Sequence, residues 1–131
     1  SAPIICYESI YGAYVGTYKQ KGANLLAVIT NDGWWGNTSG HKQHLQYAAL
    51  RAIETRTWVA RSANTGVSAI IDPLGNIVTQ RGWDEQAVIK YPVPSKSTIT
   101  FYAKYGDWLY QIFSFFAVLL LLRGLYNRYK K

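Results

Sequence analysis

Among its 131 residues the chain holds no methionine and a single cysteine. One cysteine excludes an internal disulfide, and with only two histidines, His41 and His44, no zinc-type ligand cluster can be assembled. No metal or organic cofactor is expected. The lack of methionine even at position 1 reads as a processed or truncated piece whose upstream part is missing, so a secretory leader cannot be looked for. Acidic residues are scarce, 7 against 14 Lys and Arg. Four of the basic residues, Arg123, Arg128, Lys130 and Lys131, follow Leu122 with no acid beside them. That placement indicates a membrane flank and argues against a nucleic-acid surface. No repeat or low-complexity tract is visible, and 49% hydrophobic content is ample for one core.

The one cysteine closes a short apolar run, Ala2-Pro3-Ile4-Ile5, and is followed at once by Tyr7-Glu8. A strand that stops at a thiol places a nucleophile at a sheet edge. A thiolate attacks ester and amide carbonyls, and the resulting thioester is readily discharged to a second nucleophile. If a helix starts just after Cys6, the free N–H groups of its first turn are available to a developing oxyanion. Glu8 is placed to orient a cation or to take part in acid–base work. The competing reading is a small buried apolar residue.

Ser9 to Lys21 reads as a weak helix or irregular segment. Asn24 to Thr30 is a continuous apolar run that suits a strand covered on both faces. The loop Asn31 to Gly40, NDGWWGNTSG, carries Trp34 and Trp35, as site-wall residues or as loop anchors packed on the core. From His41 to about Thr57, Leu45, Ala48, Ala49, Ala52 and Ile53 form the stripe of an amphipathic helix. Trp58 to Ala63, Val67 to Asp72, Ile77 to Gln80 and Gln86 to Tyr91 read as strands, with a tight hairpin at Pro73 to Asn76 and a turn at Asn64-Thr65-Gly66. The pattern predicts an α/β sheet whose last part is antiparallel. His41 and His44 are expected to cap the helix or bond at the surface. Arg51 and Glu54 are spaced for an intrahelical ion pair, and Arg56 and Arg61 read as structural.

Trp108 to Leu122 is almost wholly apolar, and as a helix it rises only about 22 Å against a hydrocarbon layer of roughly 30 Å. Extension from Tyr105 to Tyr126 supplies the length, with aromatic residues at both interfaces and Arg123 able to snorkel. The rival is a buried core helix. The boundaries are therefore 1–98 for the catalytic part, 99–107 for a linker, 108–126 for a transmembrane helix and 127–131 for a basic tail. The basic end is expected on the cytoplasmic side, with Cys6 opposite.

PIICYE, NDGWWG and QHLQYAALRAIETRTWVARSANTG, together with the terminal span, resemble the carboxyl-terminal half of the nitrilase-type carbon–nitrogen hydrolases, and within that superfamily the apolipoprotein N-acyltransferases. The similarity runs from Pro3 to about Val78, with His41 standing where that family more often has proline. The resemblance implies an α/β/β/α sandwich, half of it in this chain, followed by one transmembrane helix. It implies a Glu-Lys-Cys triad of which only the cysteine maps here, onto Cys6, with Tyr7 and Glu8 shaping the site. It also implies a bacterial inner-membrane enzyme with a periplasmic catalytic domain. Its acyl donor would be a phospholipid, its acceptor a lipoprotein's amino terminus, and its remaining partner the missing amino-terminal part of the same enzyme. Such a piece is expected to be inactive alone. Two rivals stand beside this reading, a membrane-tethered amidase and a non-catalytic membrane-anchored module.

Overall fold

A computed structural model describes residues 1–95 and 98–130; Lys96 and Ser97 of the expected catalytic part and Lys131 of the basic tail lie outside the described residues. The chain runs β1 (Ala2–Ile5), α1 (Gly12–Gln20), β2 (Leu25–Thr30), α2 (Ser39–Thr55), β3 (Trp58–Ala63), β4 (Ser68–Ile71), β5 (Ile77–Arg81), α3 (Phe101–Tyr105) and α4 (Trp108–Tyr129), with short 3-10 turns at Cys6–Ile10 and Gly33–Trp35.

The strands form one five-stranded sheet in sequence order. β1, β2 and β3 are parallel, joined by the helical crossovers that parallel pairing requires, and β3, β4 and β5 are antiparallel. In register, Ile4 stands beside Val28, and Val28 beside Arg61. The side chains of Ile4, Leu26, Val28, Val59, Ala69 and Ile71 meet Val15 of α1 and Leu45, Ala48 and Ala52 of α2 in one closed core. α2 reads as it does because its small residues recur at helical spacing, and it starts where the Thr38 hydroxyl accepts the Gly40 N–H at 3.3 Å. It stops at Arg56, which takes a left-handed conformation (φ 49°).

Among the described residues, helices cover one face of the sheet. β2 was expected to be buried on both sides, yet Leu26, Val28 and Thr30 are buried while Ile29 is 51% exposed, as is Ile5 on β1. The physical reason is that α1 and α2 both pack on the same side. Across the open face lies the stretch expected as a sixth strand, Gln86 to Tyr91, which is not a strand. Gly82 N–H is held by Glu85 Oε2 at 2.9 Å, Trp83 stacks on His41 with centroids 4.6 Å apart, and the chain is turned off the β5 edge before a ladder can form. Ala87, Val88 and Ile89 then line a shallow cleft with Ala27, Ile29, Ala60 and Ile70.

The expected linker, 99–107, is partly helical. α3 is bound to α1 through Gln20, whose side-chain N–H donates to the Ala103 carbonyl at 2.7 Å, and its start is capped by the Thr100 hydroxyl. α4 extends to Tyr129, three residues past the expected end, and at 22 residues rises about 33 Å. None of its residues is buried, which overturns the core-helix reading, and the helix is long and apolar enough to cross a membrane.

Candidate active site

Parallel strands run in one direction, so the loops after β1, β2 and β3 gather at one rim of the sheet, where α/β proteins place their ligands. Cys6 is the first residue of that rim. Its φ is +48°, a conformation that costs a residue bearing a Cβ roughly 1–2 kcal/mol. The turn that holds it is bonded on both flanks. Before it, the Ile5 N–H donates to Glu8 Oε2 at 2.6 Å; after it, the Ser9 hydroxyl donates to the Cys6 carbonyl at 2.8 Å. A single 3-10 turn thus stands where a helix was considered, and α1 begins only at Gly12. The thiol is free and half-buried. The second oxygen of Glu8 accepts the Tyr14 hydroxyl at 3.2 Å, so this carboxylate is committed to shaping the turn. Tyr14 also bonds the Tyr18 hydroxyl, and those bonds push its own ionisation up to about 12.

Beneath the turn lies a buried polar chain. Arg61 Nη2, on β3, donates to Asp32 Oδ2 at 2.6 Å. Asp32 Oδ1 meets His44 Nδ1 at 2.8 Å, and His44 Nε2 lies 2.9 Å from Ser9 Oγ and 3.2 Å from the Cys6 carbonyl. Ser9, Asp32, His44 and Arg61 are each no more than 3% exposed. Asp32 also accepts from the Thr30 hydroxyl, and Arg61 Nη1 donates to the Val67 carbonyl. Burial alone raises a carboxyl pKa, but the hydrogen bonds from His44 and Arg61 and the Arg61 charge outweigh it and hold Asp32 below its ordinary value. A depressed native pKa contributes stability that is fully present above the unfolded value and lost as pH falls through the native one. The stability difference between wild type and Asp32→Asn should therefore be constant above about pH 5 and shrink at lower pH, read from unfolding midpoints across a pH series.

Gly66, in the turn after β3, packs flat on this carboxylate. Its φ is +130°, and a Cβ there would lie 2.7 Å from Asp32 Oδ2. Gly66→Ala should cost about 2–3 kcal/mol in denaturant unfolding, because neither the backbone nor the buried ion pair can move aside.

A carbon–nitrogen hydrolase family model matches residues 2–102, which take in the entire sheet and the Cys6 turn. The chain belongs to the carbon–nitrogen hydrolase family. An apolipoprotein N-acyltransferase of Chlorobaculum tepidum is 44% identical over 106 residues, 81% of this chain and 20% of the relative. Another from Pseudomonas putida is 40% identical over 107 residues, 82% of this chain and 21% of the relative. The chain thus spans about a fifth of the length of these curated relatives. In fold it is similar to a Saccharomyces cerevisiae member of branch 10 of the nitrilase superfamily, with a TM-score of 0.53 and 22% identity over 64% of this chain and 34% of that one.

In this carbon–nitrogen hydrolase chain the two loop tryptophans part company. Trp35 turns in, with its ring 5.2 Å from His44 and 5.8 Å from Tyr7, and it lines a cavity of about 180 Å³ with Tyr7, Ile10, Gln43 and Tyr47. Trp34 is 87% exposed. The expectation of capping or surface histidines fails for both: His41 lies under Trp83 and His44 lies in the polar chain, while Thr38 caps the helix. Asp32, His44, Arg61 and Ser9 were missed as a group. Helical phase was the available signal, since His41 and His44 fall on the same stripe as Leu45, Ala48 and Ala52.

Arg51 and Glu54 pair as their spacing predicts, at 3.0 Å, on the domain-facing side: Arg51 is 4% exposed and donates to the Ile10 carbonyl at the end of the Cys6 turn. Gly12 sits against them and Tyr102, whose hydroxyl bonds Asp107 at the root of α4. Burial raises the pKa of Glu54 in that cluster.

Proposed function

We propose that this chain is the nucleophile-bearing part of a bacterial membrane N-acyltransferase, with Cys6 as the group that is acylated. One observation carries the reading: the only thiol stands half-buried, in a strained conformation, at the rim of the parallel strands, in a sequence 38–44% identical to proteins named apolipoprotein N-acyltransferase. The Cys6 thiolate attacks the ester carbonyl carbon of a phospholipid. The C–S bond forms, the C–O bond breaks, and the lyso-lipid leaves after taking up a proton. The α-amino group of a lipoprotein's terminal diacylglyceryl cysteine then attacks the thioester. The C–N bond forms, the C–S bond breaks, the amine's proton goes to a base, and the thiolate returns.

The base and the oxyanion-stabilising cation of this scheme, a glutamate and a lysine by family resemblance, have no counterpart in this chain and are assigned to the amino-terminal part of the same enzyme. Tyr7 and Trp35, whose rings lie 5.8 Å apart, are assigned to the wall of the acyl site, the exposed Trp34 to contact with lipid or acceptor, and Glu8 to support of the turn. α4 spans the membrane with Arg123, Arg128 and Lys130 toward the cytoplasm, which puts Cys6 on the periplasmic side.

The test uses the full-length enzyme and phospholipid labelled in its acyl chain. A hydroxylamine-sensitive label on the Cys6 peptide, transferred to a lipoprotein amino terminus on addition of acceptor, is the expected result. A label that persists in Cys6→Ser under thioester-specific conditions would remove Cys6 from the role. Release of free fatty acid with no acylated lipoprotein would identify a hydrolase instead.

A further inference from the structure

The elbow at Cys6 needs something to hold it. A left-handed non-glycine residue persists only where its surroundings over-determine it. Here the main-chain carbonyl of Cys6 is approached by two side chains, the Ser9 hydroxyl at 2.8 Å and His44 Nε2 at 3.2 Å. Ser9 alone is a local contact within the same turn. His44 is not: it comes from α2, 38 residues away, and its other ring nitrogen is fixed by Asp32 from the loop after β2, which Arg61 on β3 fixes in turn. The chain of contacts thus draws on β3 itself and on the segments that follow β1 and β2, and it finishes on the main-chain carbonyl of the residue that bears the thiol. Every member is buried, so water cannot substitute for any of them.

We infer that His44, held by Asp32 and Arg61, is a positioning residue that fixes the Cys6 elbow through Ser9 and the Cys6 carbonyl. This rests on the reading of Cys6 as the acylated group. The array resembles a serine-histidine-carboxylate relay in its spacing, yet Ser9 is wholly buried and bonded to a carbonyl, so its work is to hold the backbone and not to attack a substrate.

Two substitutions divide His44 by its ring nitrogens. In His44→Asn the amide reaches the Nδ1 position and keeps Asp32 but abandons Ser9 and Cys6. In His44→Gln the amide reaches the Nε2 position and offers a donor or an acceptor to both. In the full-length enzyme, His44→Asn should lower kcat for thioester formation roughly 100-fold with KM for phospholipid nearly unchanged, the loss expected for a small misplacement of a reacting atom. His44→Gln should recover to within roughly tenfold of wild type at a similar thermal midpoint, and Ser9→Ala, which leaves the ion pair intact, should fall between them. Backbone amide exchange over residues 6–10 should rise in the Asn variant and not in the Gln variant, with β1 and α1 unaltered.

Equal losses in the Asn and Gln variants, tracking their thermal midpoints, would reduce His44 to a structural residue and overturn the inference. So would unchanged kcat and unchanged exchange in His44→Asn. A wild-type enzyme that forms no thioester, but whose variants show the selective exchange pattern, would overturn the assignment of Cys6 chemistry while leaving the positioning of the elbow in place.

Discussion

Alanine in place of Cys6 should abolish acyl transfer, by about 10⁴-fold or more, while the protein folds as before. Glycine at the same position should be equally inactive, and yet more stable than the alanine variant by about 1 kcal/mol. The difference follows from one dihedral angle. At φ +48° a Cβ crowds the following carbonyl, and alanine keeps that clash where glycine removes it. Glycine's greater freedom in the unfolded chain offsets part of the gain. Activity measured on labelled phospholipid, beside thermal midpoints of the three proteins, checks both halves. A glycine variant less stable than the alanine variant would show that the elbow is not strained.

Asp32→Ala should be the most damaging single change to stability, at about 3–5 kcal/mol. It leaves Arg61 buried without a counter-charge and His44 without the acceptor for its Nδ1. Removing the arginine as well should recover part of the loss: with both charges gone, no unpaired buried charge is left, and only neutral groups, the Val67 carbonyl, His44 Nδ1 and the Thr30 hydroxyl, lack their partners. A double-mutant cycle of Asp32→Ala and Arg61→Leu, read by denaturant unfolding in detergent, should therefore show a coupling of about 2 kcal/mol or more. Additive losses would mean that the carboxylate and guanidinium do not depend on each other.

Much of this fold was legible because its periodicities are local. The apolar run at Leu25–Thr30, the stripe on α2 and the hairpin at Pro73 to Asn76 fell where expected, the last closed by Asp72 accepting the Leu74 and Asn76 N–H groups. Gln86 to Tyr91 misled because its composition suits a strand, while its fate was decided by a contact distant in sequence, Trp83 on His41. The 99–107 stretch misled similarly: five residues are too few to show a helical period, and α3 owes its position to Gln20.

In the candidate site, Cys6 drew notice by closing an apolar run, but its neighbours left a buried apolar role open and the family resemblance decided the reading; the loop tryptophans likewise left site wall and core anchor open. The ion-paired chain below Cys6 did not stand out. Asp32, His44 and Arg61 come from three separate elements, and each looks ordinary in its own stretch: a turn aspartate, a helix-start histidine, a strand arginine. What unites them is register, since Arg61 lies beside Val28 on the inward face. Read together, the inward phase of β3 and the stripe of α2 mark two ionisable residues as buried, and buried ionisable residues require partners.

The bare side of the sheet has a practical outcome for anyone producing the protein. Ile5 and Ile29 stand half out of the surface of the sheet, and α4 presents a second, largely apolar surface along Trp108 to Leu122. Detergent micelles will coat both, so colloidal behaviour on a sizing column reports two independent greasy regions at once. Trimming α4 would cure only one of them, and precipitation of such a shortened form should not be taken for misfolding.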